Sequence, residues 1–385
     1  MDFYRHRTQH NLHQYWFLFP YFANQFEVHY NHNINNSMSA KHSVLITGGA
    51  GFIGSHLTRL FVTKYSDYTI VNLDKLTYAG NLENLRDIEN EPNYTFVKGD
   101  ICDEQLLQSL FEKYQFTSIL HCAAESHVDR SIDNPSFFLK NNILLSVNLL
   151  EIFKNFSKTN KKSIFFHIST DEVFGSISKG SSTEDTRYNP SSPYASSKAS
   201  ADLIAISFIK TYKLPIKILN LCNNFGPYQF LEKYIPTVIF NLIKNNKAPV
   251  YGNGKNIREW IFVQDTCEAI YKVLKIHNQY ERLNRVSNLR LNNIQLATII
   301  FNILKEKKLT SANKKNFIKF IKDRPGHDIR YAINSNLFYK KTKFKVQHNI
   351  KSGIKKTIEW YLASKDWVNY QKKRHTNKRI GIDDK

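Results

Sequence analysis

The sequence Ser43-Val-Leu-Ile-Thr-Gly-Gly-Ala-Gly-Phe-Ile-Gly54 joins a short apolar run to a glycine-rich turn, and a helical pattern continues from it to about Tyr65. A strand, a tight turn and a helix N-terminus together present backbone N–H groups to a pyrophosphate. A second apolar run, Thr69–Leu73, ends at Asp74, about 20 residues past the last glycine. A carboxylate there accepts the ribose hydroxyls of NAD and repels the 2′-phosphate of NADP, so the sequence predicts an NAD site.

Strand-like and helical segments keep alternating beyond this motif. The strand-like runs are Tyr94–Lys98, Ser118–His121, Ser163–Ser169 and Pro215–Asn220, and the helical stretches are about 134–156 and 193–212. This alternation is typical of a parallel sheet with helices on both faces. The sequence predicts an α/β fold, a Rossmann-type doubly wound parallel sheet with a smaller mixed α/β C-terminal substrate lobe.

Four segments are predicted from composition and rhythm. Residues 1–37 lack a sustained period and precede Met38, so we expect a poorly ordered N-terminal extension. Residues 38–225 form the NAD-binding domain, with parts of the later chain returning to its sheet. Residues 226–362, where the βα rhythm decays, form mainly a substrate-binding lobe. Residues 363–385 are predicted to be a basic tail.

The chain is basic, with 54 Lys and Arg against 33 Asp and Glu and a formal net charge of +21. These cations are dispersed along the chain, so we expect an anionic, nucleotide-linked substrate and no nucleic-acid partner. No apolar run reaches the about 20 residues that a membrane span needs. The cysteines show no paired spacing, which predicts reduced thiols in a cytoplasmic protein without a metal site; they are Cys102, Cys122, Cys222 and Cys267.

A catalytic pattern lies between His167 and Lys198. Tyr194 and Lys198 are four residues apart, so on a helix they share a face, and the lysine charge is expected to lower the tyrosine pKa. Such a tyrosine can take a proton from a sugar hydroxyl, and the Thr170 hydroxyl can orient the same oxygen. Asp171 and Glu172 follow directly. Simple alcohol oxidation does not need two carboxylates, and both reach one sugar only if the backbone turns there.

Several motifs on this chain resemble the extended short-chain dehydrogenase/reductase family and, within it, the dTDP-glucose 4,6-dehydratases. The resemblance covers roughly residues 41–362. It rests on the glycine motif, on the Tyr194/Lys198 pair and on segments 73–81, 123–131, 169–173, 223–229 and 323–328.

The resemblance implies a redox-neutral dehydration. Tyr194, positioned by Lys198 and Thr170, takes the C4 hydroxyl proton while NAD⁺ accepts the C4 hydride. Glu172 then removes the C5 proton, and protonated Asp171 donates to the leaving C6 hydroxyl. Hydride returns to C6, which gives a 4-keto-6-deoxy sugar nucleotide. Burial beside Glu172 is expected to keep Asp171 protonated.

The resemblance also implies two sets of binding residues and a homodimer formed through helices 134–156 and 193–212. The cofactor set is Gly48, Gly51, Phe52, Ile53, Gly54, Asp74, Lys75, Thr77, Asp100, Ile101, Ala123, Ala124, Tyr194, Lys198 and Asn224. The substrate set is Ser126, Thr170, Asn223, Glu232, Lys233, Arg258, Asn288, Asp323, Arg324 and His327.

Departures from the family pattern leave the nucleotide open; they lie at Asn220, Asn141, Leu145 and Ser287. One alternative is a UDP-glucose 4,6-dehydratase. The other is a nucleotide-sugar epimerase or decarboxylase, an enzyme that shares the Tyr/Lys pair but does not need the two carboxylates. A non-catalytic NAD- or RNA-binding protein is the alternative from another class.

Overall fold

The structure is a computed structural model, and it describes residues 42–276, 281–287 and 289–374. Twelve strands are present in these ranges: β1 His42–Thr47, β2 Tyr68–Asp74, β3 Tyr94–Lys98, β4 Ser118–His121, β5 Ile164–Thr170, β6 Ile216–Leu221, β7 Asn223–Phe225, β8 Ala248–Tyr251, β9 Ile257–Phe262, β10 Glu281–Arg285, β11 Arg290–Asn292 and β12 Ile318–Ile321. Seven of them form one parallel sheet in the order β10-β6-β5-β4-β1-β2-β3. This sheet confirms the predicted doubly wound fold.

Helices cover both faces of this sheet. The described helices are α1 Phe52–Lys64, α2 Glu104–Tyr114, α3 Val128–Asp133, α4 Pro135–Leu139, α5 Leu145–Phe156, α6 Pro193–Tyr212, α7 Tyr234–Ile243, α8 Val263–Leu274, α9 Asn293–Glu306, α10 Asn336–Thr342, α11 Ile350–Ala363 and α12 Lys365–Arg374. Alternate residues of β1 face opposite sides of the sheet. Val44 and Ile46 pack in the core shared with α1 and α8, whereas Leu45 packs in the core shared with α2 and α5. Burial on both faces explains why the strands are apolar throughout.

Of the two stretches that the sequence predicts to be helical, one forms a single helix and the other is interrupted. The stretch 193–212 is a single helix, α6, which begins at Pro193 after a Ser192 side-chain cap. Proline at the first helical position and a serine cap are strong local signals. The stretch 134–156 is divided into α4, a π-helical turn at Lys140–Leu144 and α5.

The C-terminal lobe has its own apolar core. Its two small sheets, β11-β9-β7 and β12-β8, pack with helices α7, α9 and α11 around Phe262, Ile300 and Ile358. The later chain also returns to the large sheet through α8 and β10. Among the described residues, no helix has the length and apolar character that crossing a membrane requires.

The predicted basic tail from residue 363 needs a correction. Residues Lys365–Arg374 form helix α12, and Trp367 and Val368 are buried in the core of the C-terminal lobe. The cluster of lysines and arginines that follows obscures these two apolar residues in the sequence. The predicted extension at 1–37 and the tail residues 375–385 lie outside the described residues.

Candidate active site

One cavity of about 510 Å³ lies where the carboxyl ends of the parallel strands face the C-terminal lobe. This edge is where open α/β sheets bind their ligands. The cavity brings together nearly all the residues that the sequence singled out, from both predicted sets. The lining residues include Gly48, Gly51, Phe52, Ile53, Gly54, Asp74, Lys75, Thr77, Asp100, Ile101, Ala123, Ala124, Ser126, Thr170, Asp171, Glu172, Tyr194, Lys198, Asn223, Asn224, Glu232, Lys233, Arg258, Arg324 and His327.

The glycine turn at one end of the cavity has no room for side chains. A Cβ at Gly54 would lie 2.1 Å from the Gly48 carbonyl oxygen, and one at Gly48 would lie 2.6 Å from the Cα of Ala123. Gly48 also has a φ of +70°, which glycine adopts without strain. Helix α1 therefore begins directly against the turn, and the cradle fits the pyrophosphate of a dinucleotide.

Asp74 ends β2 beside this turn and is buried. Its Oδ2 accepts a hydrogen bond from the Ala50 N–H at 2.9 Å, and its Oδ1 accepts one from the Leu76 N–H at 2.8 Å. Burial raises the pKa of Asp74, and these two hydrogen bonds partly offset that effect. The carboxylate is thus held against the glycine turn, in the position expected to bind the NAD ribose. At the same end, Lys75 and Asp100 form a salt bridge of 2.6 Å.

The two adjacent carboxylates follow Thr170 at the end of β5. Residues Asp171–Phe174 form a 3₁₀ turn that the Thr170 side chain caps, since the Glu172 N–H donates to Thr170 Oγ1 at 3.3 Å. The Thr170 hydroxyl in turn donates to Asp171 Oδ1 at 3.3 Å. The backbone therefore turns where the sequence analysis required it, and both carboxylates line one cavity.

Burial controls the charge of both carboxyl groups. Burial first, and then the charges of Glu172 and Glu259, raise the pKa of Asp171 well above its usual range. Burial also raises the pKa of Glu172, but the cations Arg324 and Arg258 partly offset that effect. Asp171 is thereby favoured as the protonated member of the pair and Glu172 as the ionised one.

Tyr194 and Lys198 lie on α6 as expected, but the electrostatic effect differs from the expectation. Burial first, and then the charge of Glu172, raise the pKa of Tyr194, while the Thr170 hydroxyl lowers it. The Lys198 ammonium instead donates to the Ile168 carbonyl oxygen at 2.7 Å. Burial lowers the pKa of Lys198, and the negative charge of Asp202 opposes that effect. The expected lowering of the tyrosine pKa is therefore not present in this structure, because desolvation exceeds the attraction of a lysine that bonds elsewhere.

Asp202 is a buried group that the sequence analysis missed. It accepts hydrogen bonds from the Ser169 hydroxyl at 2.7 Å and the Tyr188 hydroxyl at 2.8 Å, and its Oδ1 lies 3.0 Å from His167 Nε2. Burial disfavours its ionisation, but the His167 contact and the other bonds keep the pKa of Asp202 below its usual range. Its position one helical turn after Lys198 was the available signal.

The opposite end of the cavity carries the predicted substrate residues. The Arg324 guanidinium pairs with Asp129 at 2.9 Å, and the Lys233 ammonium donates to the Ser126 carbonyl oxygen at 3.2 Å. The Arg258 guanidinium lies 4.0 Å from the centre of the Tyr331 ring. These cations give this end of the cavity a positive character that suits a diphosphate.

Two of the predicted substrate residues, Asp323 and Asn288, are not among the described residues that line the cavity. The Asp323 carboxylate lies 2.5 Å from Nδ1 of His327, which does line the cavity, and a direct contact of Asp323 with substrate stays a prediction. Asn288 lies outside the described residues. Several other side chains line the cavity that the sequence did not single out. Glu125, His127 and Asp129 lie within the motif segment 123–131, and Tyr251 and Gln371 lie outside the motif segments.

The chain is similar to known proteins in both sequence and structure. The family model described as GDP-mannose 4,6 dehydratase matches residues 45–357. A dTDP-glucose 4,6-dehydratase of Shigella flexneri is 42% identical over 340 residues, which are 84% of this chain and 94% of that protein. The crystal structure of dTDP-glucose 4,6-dehydratase from Bacillus anthracis in complex with NAD is 37% identical with a TM-score of 0.77, and the match covers 86% of this chain and 99% of that one. The enzyme of the same name from Streptomyces venezuelae, with NAD bound, is also 37% identical with a TM-score of 0.77, over 84% and 98% of the two chains.

Proposed function

The chain belongs to the family of dTDP-glucose 4,6-dehydratases, and on this basis we propose that it is an NAD-dependent hydro-lyase that converts dTDP-glucose to dTDP-4-keto-6-deoxy-glucose. The observation that carries the proposal is the pair Asp171 and Glu172, the first two residues of a 3₁₀ turn, which line the same cavity as Tyr194. An epimerase or a decarboxylase needs the tyrosine and the cofactor but has no use for this acid and base.

The glycine turn and Asp74 would hold NAD, which when bound supplies a hydride acceptor for C4 of the sugar and a hydride donor for C6. Tyr194 takes the proton of the C4 hydroxyl, and Thr170 hydrogen-bonds the same oxygen. The raised pKa of Tyr194 means that this proton transfer depends on positive charge near the phenol. Lys198, four residues after Tyr194 on α6, lines the same cavity and is the cation that this helix offers for that charge.

Glu172 and Asp171 carry out the elimination. The 4-ketone makes the C5 hydrogen acidic, and ionised Glu172 removes it. Protonated Asp171 gives its proton to the C6 hydroxyl, which leaves as water, and Glu172 returns a proton to C5 when C6 is reduced. The environment supports this division of labour, because Arg324 and Arg258 oppose the rise in the pKa of Glu172, whereas Glu172 and Glu259 add to the rise for Asp171. Pairs of carboxyl groups with separated pKa values are the usual basis for such acid and base roles.

The pH dependence of kcat is expected to be bell-shaped. On the acidic side, the rate falls about tenfold per pH unit once Glu172 is protonated, because the base is lost. On the alkaline side, the rate falls once Asp171 loses its proton, because the acid is lost. The two groups interact, so the apparent pKa values belong to the pair. Initial rates of 4-keto product formation across pH test this expectation, and a rate that keeps rising into the alkaline range would contradict a protonated Asp171.

We also propose a homodimer formed through α4, α5 and α6. Large apolar side chains are exposed on this helical surface, namely Phe137, Leu139, Leu144, Leu203 and Tyr212. Such a patch is typical of an interface between subunits. We expect Leu203→Glu to convert a dimer to monomers in light scattering after gel filtration, whereas Leu82→Glu, at an exposed leucine of a 3₁₀ turn, leaves the mass unchanged. A monomeric wild-type protein contradicts this proposal.

A cytoplasmic location is part of the same proposal. All four cysteines are free, and Cys102 is exposed. Exposed free thiols are typical of a reducing compartment.

Product analysis of the purified protein with dTDP-glucose and with UDP-glucose tests the activity. We expect a product that has lost one water, shows the alkaline absorbance of a 4-keto sugar and forms without net consumption of NAD. We expect faster turnover of the dTDP substrate. A product of unchanged mass would mean epimerisation, and the absence of turnover with either substrate would favour a binding protein.

A further inference from the structure

Helix α12 packs against the rest of the molecule through buried side chains. Trp367 is 6% exposed and packs against Trp360 at 4.9 Å between ring centres and against Tyr228 at 6.1 Å. Its indole Nε1–H donates a buried hydrogen bond of 2.7 Å to Asn84 Oδ1, a residue 283 positions earlier in the chain. A buried indole N–H with a partner fixes the orientation of the ring and of the helix that carries it.

Asn84 connects this contact to the glycine turn. Its side-chain N–H donates to the Ala50 carbonyl oxygen at 2.8 Å, and the N–H of Asn81 donates to the same oxygen at 3.0 Å. The N–H of Ala50 in turn donates to Asp74. Two hydrogen bonds therefore separate α12 from the backbone that is expected to hold the pyrophosphate, and a third reaches the carboxylate expected to bind the ribose.

The last turn of α12 also contacts the loop 77–80, which lies at the same end of the cavity as the glycine turn. The Arg374 guanidinium donates to the carbonyl oxygens of Gly80 at 2.9 Å and Thr77 at 3.1 Å. This loop lies directly on the Asp74 carboxylate, because a Cβ at Gly80 would be only 2.8 Å from Asp74 Oδ1. Arg374 thus fixes the loop that covers the ribose-binding carboxylate.

Gln371, one turn before the end of the helix, reaches the cavity itself. It lines the cavity, is 1% exposed, and its buried Oε1 has no hydrogen-bond partner in the described structure. A buried amide oxygen without a partner is costly, and ligand binding is one way to satisfy it. A glutamine side chain can hydrogen-bond both the hydroxyl and the phosphate groups of a nucleotide.

We propose that α12 is part of the cofactor site, that Gln371 contacts NAD, and that Arg374 positions the 77–80 loop so that NAD stays bound between turnovers. The inference rests on the proposed redox-neutral dehydration, in which no exchange of cofactor is needed from one cycle to the next. Retention is an advantage in such a reaction, because loss of the cofactor midway would strand the oxidised sugar.

The test measures NAD dissociation from the full-length protein, without substrate. Protein saturated with NAD is desalted and incubated with an enzyme that destroys free NAD, and the bound NAD is quantified over time by chromatography. We expect Arg374→Ala and Gln371→Met each to accelerate dissociation about tenfold, which corresponds to about 1.4 kcal/mol. Lys373→Ala is the matched control, since Lys373 is an exposed cation of the same helical turn. We expect it to release NAD at the wild-type rate.

A second readout separates retention from catalysis. At low NAD concentration Arg374→Ala is expected to lose turnover relative to wild type, and raising the NAD concentration is expected to restore it, because the variant loses affinity for the cofactor and keeps the catalytic groups. Dissociation at the wild-type rate in both variants overturns the inference, and so does equal acceleration in Lys373→Ala. If the wild-type protein binds no NAD, the proposed function itself fails, whereas bound NAD with unaffected variants removes only the role of α12.

Discussion

Replacement of Tyr194 by phenylalanine is expected to lower kcat by about 10²- to 10⁴-fold, the range for loss of a positioned acid–base group. Phenylalanine keeps the ring in its buried site, and the contact of the residue-194 N–H with the Ser131 hydroxyl involves only the backbone. The change therefore removes the oxygen that takes the C4 proton and little else. Lys198 and Thr170 would remain in place but have no phenol to act through.

The Tyr194→Phe measurement needs three readouts: kcat with dTDP-glucose, the amount of bound NAD and the thermal midpoint. We expect the first to fall and the other two to stay near wild type. Tyr94→Phe is the matched control, because Tyr94 is also buried and hydrogen-bonded, to Asn72, but lies on β3 outside the cavity. Its kcat is expected to equal that of wild type. A Tyr194→Phe enzyme with near-normal turnover would show that another group takes the proton.

Replacement of Glu172 by glutamine is expected to stop the reaction after oxidation at C4 and to lower product formation by about 10²- to 10⁴-fold. Glutamine has nearly the same shape and can still accept from the Tyr331 hydroxyl, which lies 3.3 Å from Glu172 Oε2. It cannot accept the C5 proton. Tyr194 retains its role, so a single addition of substrate should produce a lasting absorbance of reduced nicotinamide with no release of water.

A second measurement on Glu172→Gln follows the C5 hydrogen directly. In heavy water we expect the wild-type product to carry deuterium at C5, and we expect the sugar recovered from the variant to carry none. Glu184→Gln is the control, since Glu184 also has a pKa raised by burial but lies outside the cavity, where it accepts from the Asn284 N–H. Product formation by Glu172→Gln at near the wild-type rate would show that Glu172 is not the base that removes the C5 proton. Fast epimerisation by the same variant would favour the competing enzyme class.

Asp171→Asn is expected to behave differently from Glu172→Gln, although the two residues are neighbours. The C5 proton can still be removed, but the C6 hydroxyl has no acid to protonate it. Exchange of the C5 hydrogen should therefore persist while loss of water slows. The contrast between the two variants assigns the base and the acid, which the adjacency of the residues in sequence cannot do.

Local patterns carried most of the prediction. The glycine turn, the acidic residue at the end of β2 and helix α6 depend on backbone geometry, capping and residue size within short segments, and these can be read without knowledge of distant neighbours. The family motifs extended this to many of the residues that line the cavity, because several motif residues lie at the carboxyl ends of strands that a parallel sheet brings to one edge.

Charge and burial could not be read in the same way. The sequence places Lys198 one turn from Tyr194, but whether its charge lowers the tyrosine pKa depends on where the ammonium donates its hydrogen bonds and on how dry the site is. In the folded chain, the lysine bonds Ile168 and the tyrosine is desolvated beside Glu172. Desolvation is therefore the largest cause of the raised pKa of Tyr194.

By itself, the sequence determined the doubly wound sheet, the NAD motif and the catalytic residue types, since each arises from residues close together along the chain. Tertiary structure alone decided the burial of Asp171 and Asp202 and the return of α12 to the glycine turn. The Trp367–Asn84 and Arg324–Asp129 contacts join residues 283 and 195 positions apart. No local period encodes such contacts, because they form only when the packing of the two lobes removes both partners from water.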